Sequence, residues 1–233
     1  MWNGKNKAVT FSYDDGVEQD RRLVELFNKY GMKATFNINS GIQTGANFFT
    51  ERDSGILVRR MNQKGLKKLY EGHEIASHGL THANPVECDE ETMYNEVMAD
   101  KRNLEALFEK KVVGYAYPYG GYNDMAVRVL SDCGIRYART VESTSEFSPQ
   151  KDLLRFKANF HHNHAGIFEG IERFLGGGTE EASILYIWGH SYEFDANQNW
   201  EHMEEILKRL AGRSEVFYGT NAEVLLGEDQ ISR

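Results

Sequence analysis

The sequence predicts an α/β protein, a barrel related to the (β/α)8 type, formed by a single domain over residues 1–233. Segments rich in β-formers alternate with amphipathic segments at helical spacing, and this alternation is typical of a parallel sheet covered by helices. About seven such repeats fit into the chain, which favours a barrel over an open sheet. We find no internal repeat, low-complexity tract or Pro/Ser-rich linker that would divide it into two domains.

The first half of the chain follows this alternation. Residues 8–13 are rich in β-formers, and the helix after them has apolar side chains along one face, namely Leu23, Leu26, Phe27 and Tyr30. Gly31 is typical of a residue that ends a helix, because glycine adopts a positive φ without strain. The next predicted elements are a strand at 33–37, a helix at 61–70, a strand at 74–77 and a helix at 90–109.

The second half continues in the same way. Its predicted strands cover residues 112–117, 135–140, 184–188 and 216–218. Its predicted helices cover residues 124–132, 167–174 and 200–210. Residues 141–163 show neither period and stay unassigned.

The composition excludes several classes of protein. The formal charge is −8, and no cluster of Lys and Arg indicates binding to nucleic acid. The apolar runs are far shorter than a membrane span needs, and Cys88 and Cys133 are expected to be free thiols. The N-terminus has no signal-peptide core, so we expect a cytoplasmic protein, or a secreted or cell-wall protein if this chain has been trimmed. Nothing in the sequence indicates the oligomeric state.

Side chains with catalytic potential follow four of the predicted strands. In barrels of this type the reactive groups lie at the carboxyl ends of the strands. These strands are followed by Asp14 and Asp15, by His78 and His82, by the turn at 117–121, and by His190. The sequence therefore predicts that two carboxylates, three imidazoles and an aromatic turn meet at one rim.

Each of these groups has two interpretations. Asp14 and Asp15 before a glycine are typical of a simple turn, but two carboxylates can also divide the work of holding a cation and accepting a proton. His78 and His82 reach one metal if the segment after the strand turns helically, and with one carboxylate they form a three-ligand set. His190 is either a hydrogen-bonded core residue or a proton donor.

Three further features are weaker candidates. The turn at 117–121 is either a plain connection or one that directs backbone N–H groups at an oxyanion and aromatic rings at a sugar. We interpret the run His161, His162, Asn163 and His164 as a polar loop rather than a second metal site, because no acidic or thiol partner lies nearby in sequence. Glu193 and Asp195 are interpreted as an exposed acidic loop, and Trp188 as core or groove wall.

Taken in order, these motifs resemble those of the polysaccharide deacetylases, the NodB-homology domain of carbohydrate esterase family 4. Residues 12–16 (Ser-Tyr-Asp-Asp-Gly) are similar to the family's Thr-Phe-Asp-Asp-Gly, and residues 78–82 to its His-(Ser/Thr)-x-x-His, with Gly79 at the hydroxyl position. Residues 116–120 resemble its Arg-x-Pro-Tyr-Gly, and residues 185–190 resemble its last motif, which ends in a functional histidine.

The resemblance implies a distorted (β/α)7 barrel and a metal-dependent hydrolase that removes acetyl groups from N- or O-acetylated carbohydrate. It implies a divalent metal, zinc first and cobalt or nickel as alternatives, with the ligands Asp15, His78 and His82. It assigns Asp14 as general base and His190 as general acid. Substrate contacts are expected from Tyr117, Pro118, Tyr119, Gly120 and Trp188, with the backbone N–H of Tyr119 facing the oxyanion.

Two departures from the family pattern leave alternatives open. Ala116 stands where the family has the arginine that pairs with the base, so we expect Arg139 or Arg155 to supply that charge. The family's fourth motif, an Asp-containing segment that tunes the catalytic histidine, is not recognisable, and its candidates are Asp152, Glu193 and Asp195. Two other functions therefore remain: a hydrolase of a small cytoplasmic amide or acetylated sugar, and a carbohydrate-binding homologue with little turnover.

Overall fold

Strands and helices alternate through residues 2–178 and 180–227, which the computed structural model describes. The strands are β1 (Lys7–Asp14), β2 (Thr35–Ile38), β3 (Phe48–Thr50), β4 (Leu57–Arg59), β5 (Glu74–Ser77), β6 (Gly114–Ala116), β7 (Tyr137–Ser143), β8 (Phe156–Ala158), β9 (Phe160–His161), β10 (Ser183–Gly189) and β11 (Val216–Tyr218). The helices are α1 (Asp20–Lys29), α2 (Leu66–Leu69), α3 (Glu90–Phe108), α4 (Asp124–Asp132), α5 (Ile167–Gly176), α6 (Tyr192–Ala196), α7 (Trp200–Leu210) and α8 (Asn221–Leu225).

The main sheet is parallel and almost closes on itself. Its strand order is β8-β7-β6-β5-β2-β1-β10-β9, and β11 pairs with β1. The two ends of this order, β8 and β9, are joined through Asn159, whose backbone N–H donates to the carbonyl of Tyr186 in β10 (3.0 Å). Counting β8 and β9 as one interrupted strand leaves a distorted (β/α)7 barrel, which confirms the predicted fold class.

The barrel places the carboxyl ends of its strands on one rim. β1 runs between β2 and β10 and is buried along its whole length, as expected for a central parallel strand covered on both faces. Phe11 of β1 packs against Phe27 of α1, with ring centroids 4.9 Å apart. Because the strands are parallel, the residues that follow β1, β5, β6 and β10 face the same end of the molecule.

The predicted and the observed bounds are identical for four elements: the strands at 74–77 and 216–218 and the helices at 124–132 and 200–210. The predicted helix at 61–70 is limited to α2. The sequence does not predict the antiparallel hairpin of β3 and β4, because its side chains do not alternate between apolar and polar: Phe48 and Leu57 are both exposed. No described helix combines the length and apolar character that a membrane span requires.

Candidate active site

Five of the predicted side chains meet at this rim. The Nε2 atoms of His82 and His78 lie 3.6 and 4.0 Å from Oδ1 of Asp15. On the other side, Nε2 of His190 lies 3.8 Å from Oδ2 of Asp14. Three separate strand ends, those of β1, β5 and β10, thus contribute one continuous group of two carboxylates and three imidazoles.

Asp15, His78 and His82, here called the Asp15 cluster, offer three ligand atoms within 4.8 Å of one another. Nδ1 of His78 donates a hydrogen bond to the carbonyl of Ala116 (2.8 Å), which leaves the lone pair on Nε2 directed at the cluster. Burial lowers the pKa of His78 and lowers that of His82 to about 4. Both imidazoles are therefore neutral at pH 7, the form that binds metal.

The carboxylate of this cluster is ionised and incompletely satisfied. Burial alone would raise the pKa of Asp15, but Arg60, whose Nη2 lies 3.0 Å from Oδ1, and the nearby histidines hold that pKa well below its ordinary range. The buried Oδ1 atom accepts no hydrogen bond from the described residues. A carboxylate oxygen that accepts no hydrogen bond and lies beside two neutral imidazoles fits a divalent cation such as zinc.

The backbone that carries these ligands is bent by residues with positive φ. Asp15 has φ 82°, and its carbonyl accepts hydrogen bonds from Nε2 of Gln43 (2.7 Å) and Nη1 of Arg60 (2.8 Å). The segment from His78 to His82 is not helical, so the helical turn proposed for this pair is wrong. The two imidazoles meet because Gly79 and His82 take φ values of 76° and 65°.

Asp14 has its own set of partners. Nδ2 of Asn37 donates to Oδ1 (2.7 Å), and the guanidinium of Arg139 donates to Oδ2. Burial would raise the pKa of Asp14, but Arg139 and the neighbouring imidazoles lower it, so this carboxylate stays ionised. Arg139 pairs with Ala116 across β6 and β7, which places its charge beside the position of the missing family arginine.

Arg155, the other candidate for that charge, lies elsewhere. Its guanidinium donates to Asp152 (2.9 Å) and to Asp124 (2.6 Å) at the protein surface. The prediction that Arg155 pairs with Asp14 is therefore wrong, and Asp152 is engaged away from His190. Local i, i+3 pairing with Asp152 explains this placement.

Only part of the aromatic turn faces solvent. Tyr119, in a 3-10 turn at Pro118–Gly120, is 72% exposed, and its ring centroid lies 4.6 Å from that of His82. The side chains of Tyr117 and Pro118 are buried, and the Tyr117 hydroxyl donates to the carbonyl of Leu154 (2.8 Å). The expectation that the Tyr117 side chain contacts substrate is therefore wrong.

Gly120 and Trp188 have structural environments as well. Gly120 has φ 72°, and a Cβ atom there would lie 2.3 Å from a methyl carbon of Val141, so only glycine fits. Trp188 is 9% exposed, and the Arg139 guanidinium stacks on its ring at 4.2 Å from the centroid. Trp188 therefore holds Arg139 in place rather than forming a groove wall.

A second group of imidazoles, which the sequence analysis interpreted as a polar loop, surrounds Glu193. Oε1 of Glu193 lies 3.1 Å from Nδ1 of His190, and Oε2 lies 3.0 Å from Nε2 of His161 and 2.9 Å from Nε2 of His162. We call these four residues the Glu193 cluster. Glu193 is therefore not part of an exposed acidic loop, and His162 is not part of a solvated polar loop.

Glu193 controls the charge of His190. Burial alone would lower the pKa of His190, but its hydrogen bond to Glu193 and the negative charge of that carboxylate raise the pKa to about 9. The signals for this cluster were present in the sequence. Glu193 follows His190 at i+3 in the short helix α6, and His161 ends a strand at the same rim. The sequence does not show, however, that β9 pairs with β10.

Comparison with known proteins agrees with these motifs. The sequence model of the family described as Polysaccharide deacetylase matches residues 3–138. The chain is 26% identical over 148 residues to a chitin deacetylase from Pestalotiopsis sp, covering 63% of this chain and 45% of that protein. It is 25% identical over 129 residues to a peptidoglycan deacetylase from Helicobacter pylori, covering 55% and 38%.

The fold is also similar to solved structures. One is the Xyl-CE4 domain of a multidomain xylanase from the hindgut metagenome of Trinervitermes trinervoides. The two structures superpose with a TM-score of 0.63 and 14% sequence identity, and the match covers 96% of this chain and 92% of that one. The chain spans less than half the length of the two curated relatives. Since the family model covers more than half of the sequence, this chain belongs to the polysaccharide deacetylase family.

Proposed function

We propose that this protein is a metal-dependent hydrolase that removes acetyl groups from N- or O-acetylated carbohydrate. The observation that carries the proposal is the convergence of Asp15, His78 and His82 with the ionised Asp14 on one side and His190 beyond it. Membership of the polysaccharide deacetylase family supports the same reaction. A cation site flanked by a proton acceptor and a proton donor suits the hydrolysis of an acyl bond.

Asp15, His78 and His82 are the residues that would hold the metal, and two histidines with one carboxylate suit zinc, with cobalt or nickel as alternatives. A cation bound there polarises the acetyl carbonyl and lowers the pKa of a water molecule. Arg60 keeps the Asp15 carboxylate ionised, and the carbonyl of Ala116 fixes the tautomer of His78.

The two flanking residues move protons. Asp14, kept ionised by Arg139 and oriented by Asn37, accepts a proton from the attacking water. His190, protonated through its contact with Glu193, donates a proton to the departing nitrogen or oxygen of the sugar as the bond to the acetyl carbon breaks. The backbone N–H of Tyr119 stabilises the oxyanion, and the products are acetate and a free amine or hydroxyl.

Tyr119 supports carbohydrate as the substrate. Its ring is exposed beside His82, where it can stack on the apolar face of a sugar next to the reacting acetyl group. The chitin and peptidoglycan deacetylases among the relatives point to amino-sugar polymers. We therefore infer an N-acetylated glycan as the first substrate to test.

The test combines metal analysis with acetate release from chitin oligomers, peptidoglycan fragments, acetylated xylan and small acetamides. We expect the protein to carry about one equivalent of divalent metal, to release acetate from glycans and to lose this activity on chelation. Release from small acetamides alone would assign the alternative function, a small-amide hydrolase. Metal and glycan binding without any acetate release would indicate a carbohydrate-binding homologue.

A further inference from the structure

The Glu193 cluster has the ligand chemistry of a second cation site. Three of its four residues, His161, His190 and Glu193, place two imidazoles and a carboxylate together as in the Asp15 cluster, with donor atoms within 4.8 Å of one another. Bound zinc with Zn–N and Zn–O distances of about 2.1 Å separates its ligand atoms by roughly 3.4 Å in a tetrahedron. Oε2 of Glu193 lies 3.0 Å from Nε2 of His161, and its other oxygen, Oε1, lies 3.1 Å from Nδ1 of His190; each distance is close to that spacing.

A buried imidazole without hydrogen bonds is a second, independent observation. The His162 side chain is completely buried, and neither of its ring nitrogens makes a hydrogen bond of proper geometry to a described residue. Its Nε2 nevertheless lies 2.9 Å from Oε2 of Glu193, so it is directed into the cluster. A Cβ atom at Gly189 would lie 2.1 Å from Nδ1 of His162, which shows how tightly the backbone of β10 packs against this ring.

The cluster is also open to ions from solvent. The side chains of His161, Glu193 and His190 keep 29%, 22% and 21% of their surface exposed. The other side of His190 faces Asp14, so a cation on Nδ1 would not enter the Asp15 cluster. Nitrogen ligands select first-row divalent cations such as zinc over magnesium or calcium, which prefer oxygen.

We propose that His161, His190 and Glu193 form a second, weaker site for zinc-like cations, and that its occupation inhibits the enzyme. The inhibition rests on the proposed function, because it needs His190 to be the proton donor. A cation on Nδ1 replaces the proton that this atom shares with Glu193, and that proton leaves to solvent. Loss of the Nε2 proton would then leave an imidazolate, so His190 no longer acts as an acid. The site is weaker because the cation must displace existing hydrogen bonds.

The test uses zinc itself as the probe on the full chain. Metal-free protein is titrated with zinc by calorimetry, and acetate release is compared at one equivalent and in zinc excess. We expect two binding events in the wild type, and acetate release about 100-fold lower in excess zinc, the order of a lost general acid. His161→Ala should lose the weaker event and give the same acetate release at both zinc levels.

His164→Ala is the matched control, since His164 belongs to the same run of histidines but bonds to the backbone N–H of Gly166 instead. It should keep both binding events. If His161→Ala is unstable to heat, Glu193→Gln serves as the second variant. It should also lose the weaker binding event. A single zinc equivalent in the wild type, or a second equivalent retained in both variants, would overturn the site.

The binding result is independent of the reaction. If no acetylated substrate is hydrolysed but the weaker zinc event disappears with His161, the second site stands and the proposed function fails. If acetate is released and zinc excess inhibits the wild type and His161→Ala equally, the inhibitory role of the site is wrong.

Discussion

The Asp15 cluster and the Glu193 cluster contain the same residue types but differ in charge. In the first, Arg60 lies 3.0 Å from the carboxylate, and both imidazoles are neutral at pH 7. In the second, the ion pairs that Glu193 forms with described residues are all to imidazoles, and the pKa of His190 is raised to about 9. A fixed guanidinium offsets the charge of Asp15, whereas a protonated imidazole offsets the charge of Glu193.

This difference in the charge of the imidazoles shows how one rim can both bind a cation and donate a proton. Neutral imidazoles with free lone pairs bind a cation, and a protonated imidazole donates a proton. Whether an imidazole binds a cation or donates a proton depends on which residue neutralises the neighbouring carboxylate, and not on the histidine itself. Substitutions in each cluster should therefore have different signatures.

The largest effect is expected from His78→Ala in the Asp15 cluster. Removal of one of three ligands should abolish stoichiometric metal binding and lower acetate release by about 10³-fold or more, since the metal contributes several kcal/mol. Zinc content after dialysis and acetate release are the measurements. His161→Ala should retain the tightly bound equivalent. A His78→Ala protein that keeps both metal and activity would contradict the assignment of this cluster.

Asp14→Asn separates the proton acceptor from the metal ligands beside it. The amide keeps the side-chain shape but cannot take a proton, so kcat should fall by about 10²- to 10⁴-fold. Zinc content should stay unchanged, because Asp14 is not among the three ligands. Asp152→Asn, a surface control, should keep full activity. Near-normal kcat in Asp14→Asn would show that another group is the base.

Glu193→Gln tests the role of the carboxylate in the Glu193 cluster. Without this negative charge the pKa of His190 should fall and less of the imidazole is protonated, so kcat should fall by about ten-fold with little change in KM. The tightly bound zinc equivalent should remain. Steady-state kinetics on an acetylated glycan measure both parameters. A change confined to KM would mean that Glu193 binds substrate instead of orienting the acid.

Asp20 is another buried carboxyl, and among the described residues neither a guanidinium nor an imidazole is its partner. The hydroxyls of Ser191 (2.5 Å) and Tyr70 (2.6 Å) donate to it, and burial raises its pKa to about 7 despite them. Its contribution to stability is complete below the unfolded pKa of about 3.9 and is lost as the pH rises through about 7.

Asp20→Asn should remove this dependence on pH. Relative to the variant, the wild type should lose up to about 1.4 kcal/mol of unfolding free energy per pH unit between pH 4 and about 7. Urea unfolding at several pH values in that range measures the difference. Parallel curves for the two proteins would mean that Asp20 does not take up a proton on folding.

The fold class and the residues of the Asp15 cluster follow from the amino-acid sequence alone. Alternation of strand and helix predicted the barrel, and parallel strands bring Asp14, Asp15, His78 and His190 to one rim whatever the details of packing. Motif order at strand ends was enough to select these side chains from the eight histidines and thirty-five acidic residues.

The charge partners of Asp14 and Glu193, in contrast, follow from tertiary contacts. Arg139 reaches Asp14 from the strand beside Ala116, while Arg155 is drawn to local carboxylates. Glu193 meets His161 because β9 pairs with β10, and the short, irregular strand β9 has no sequence period that would reveal it. Ion pairs between distant residues depend on strand register and burial, which neither local pattern nor composition encodes.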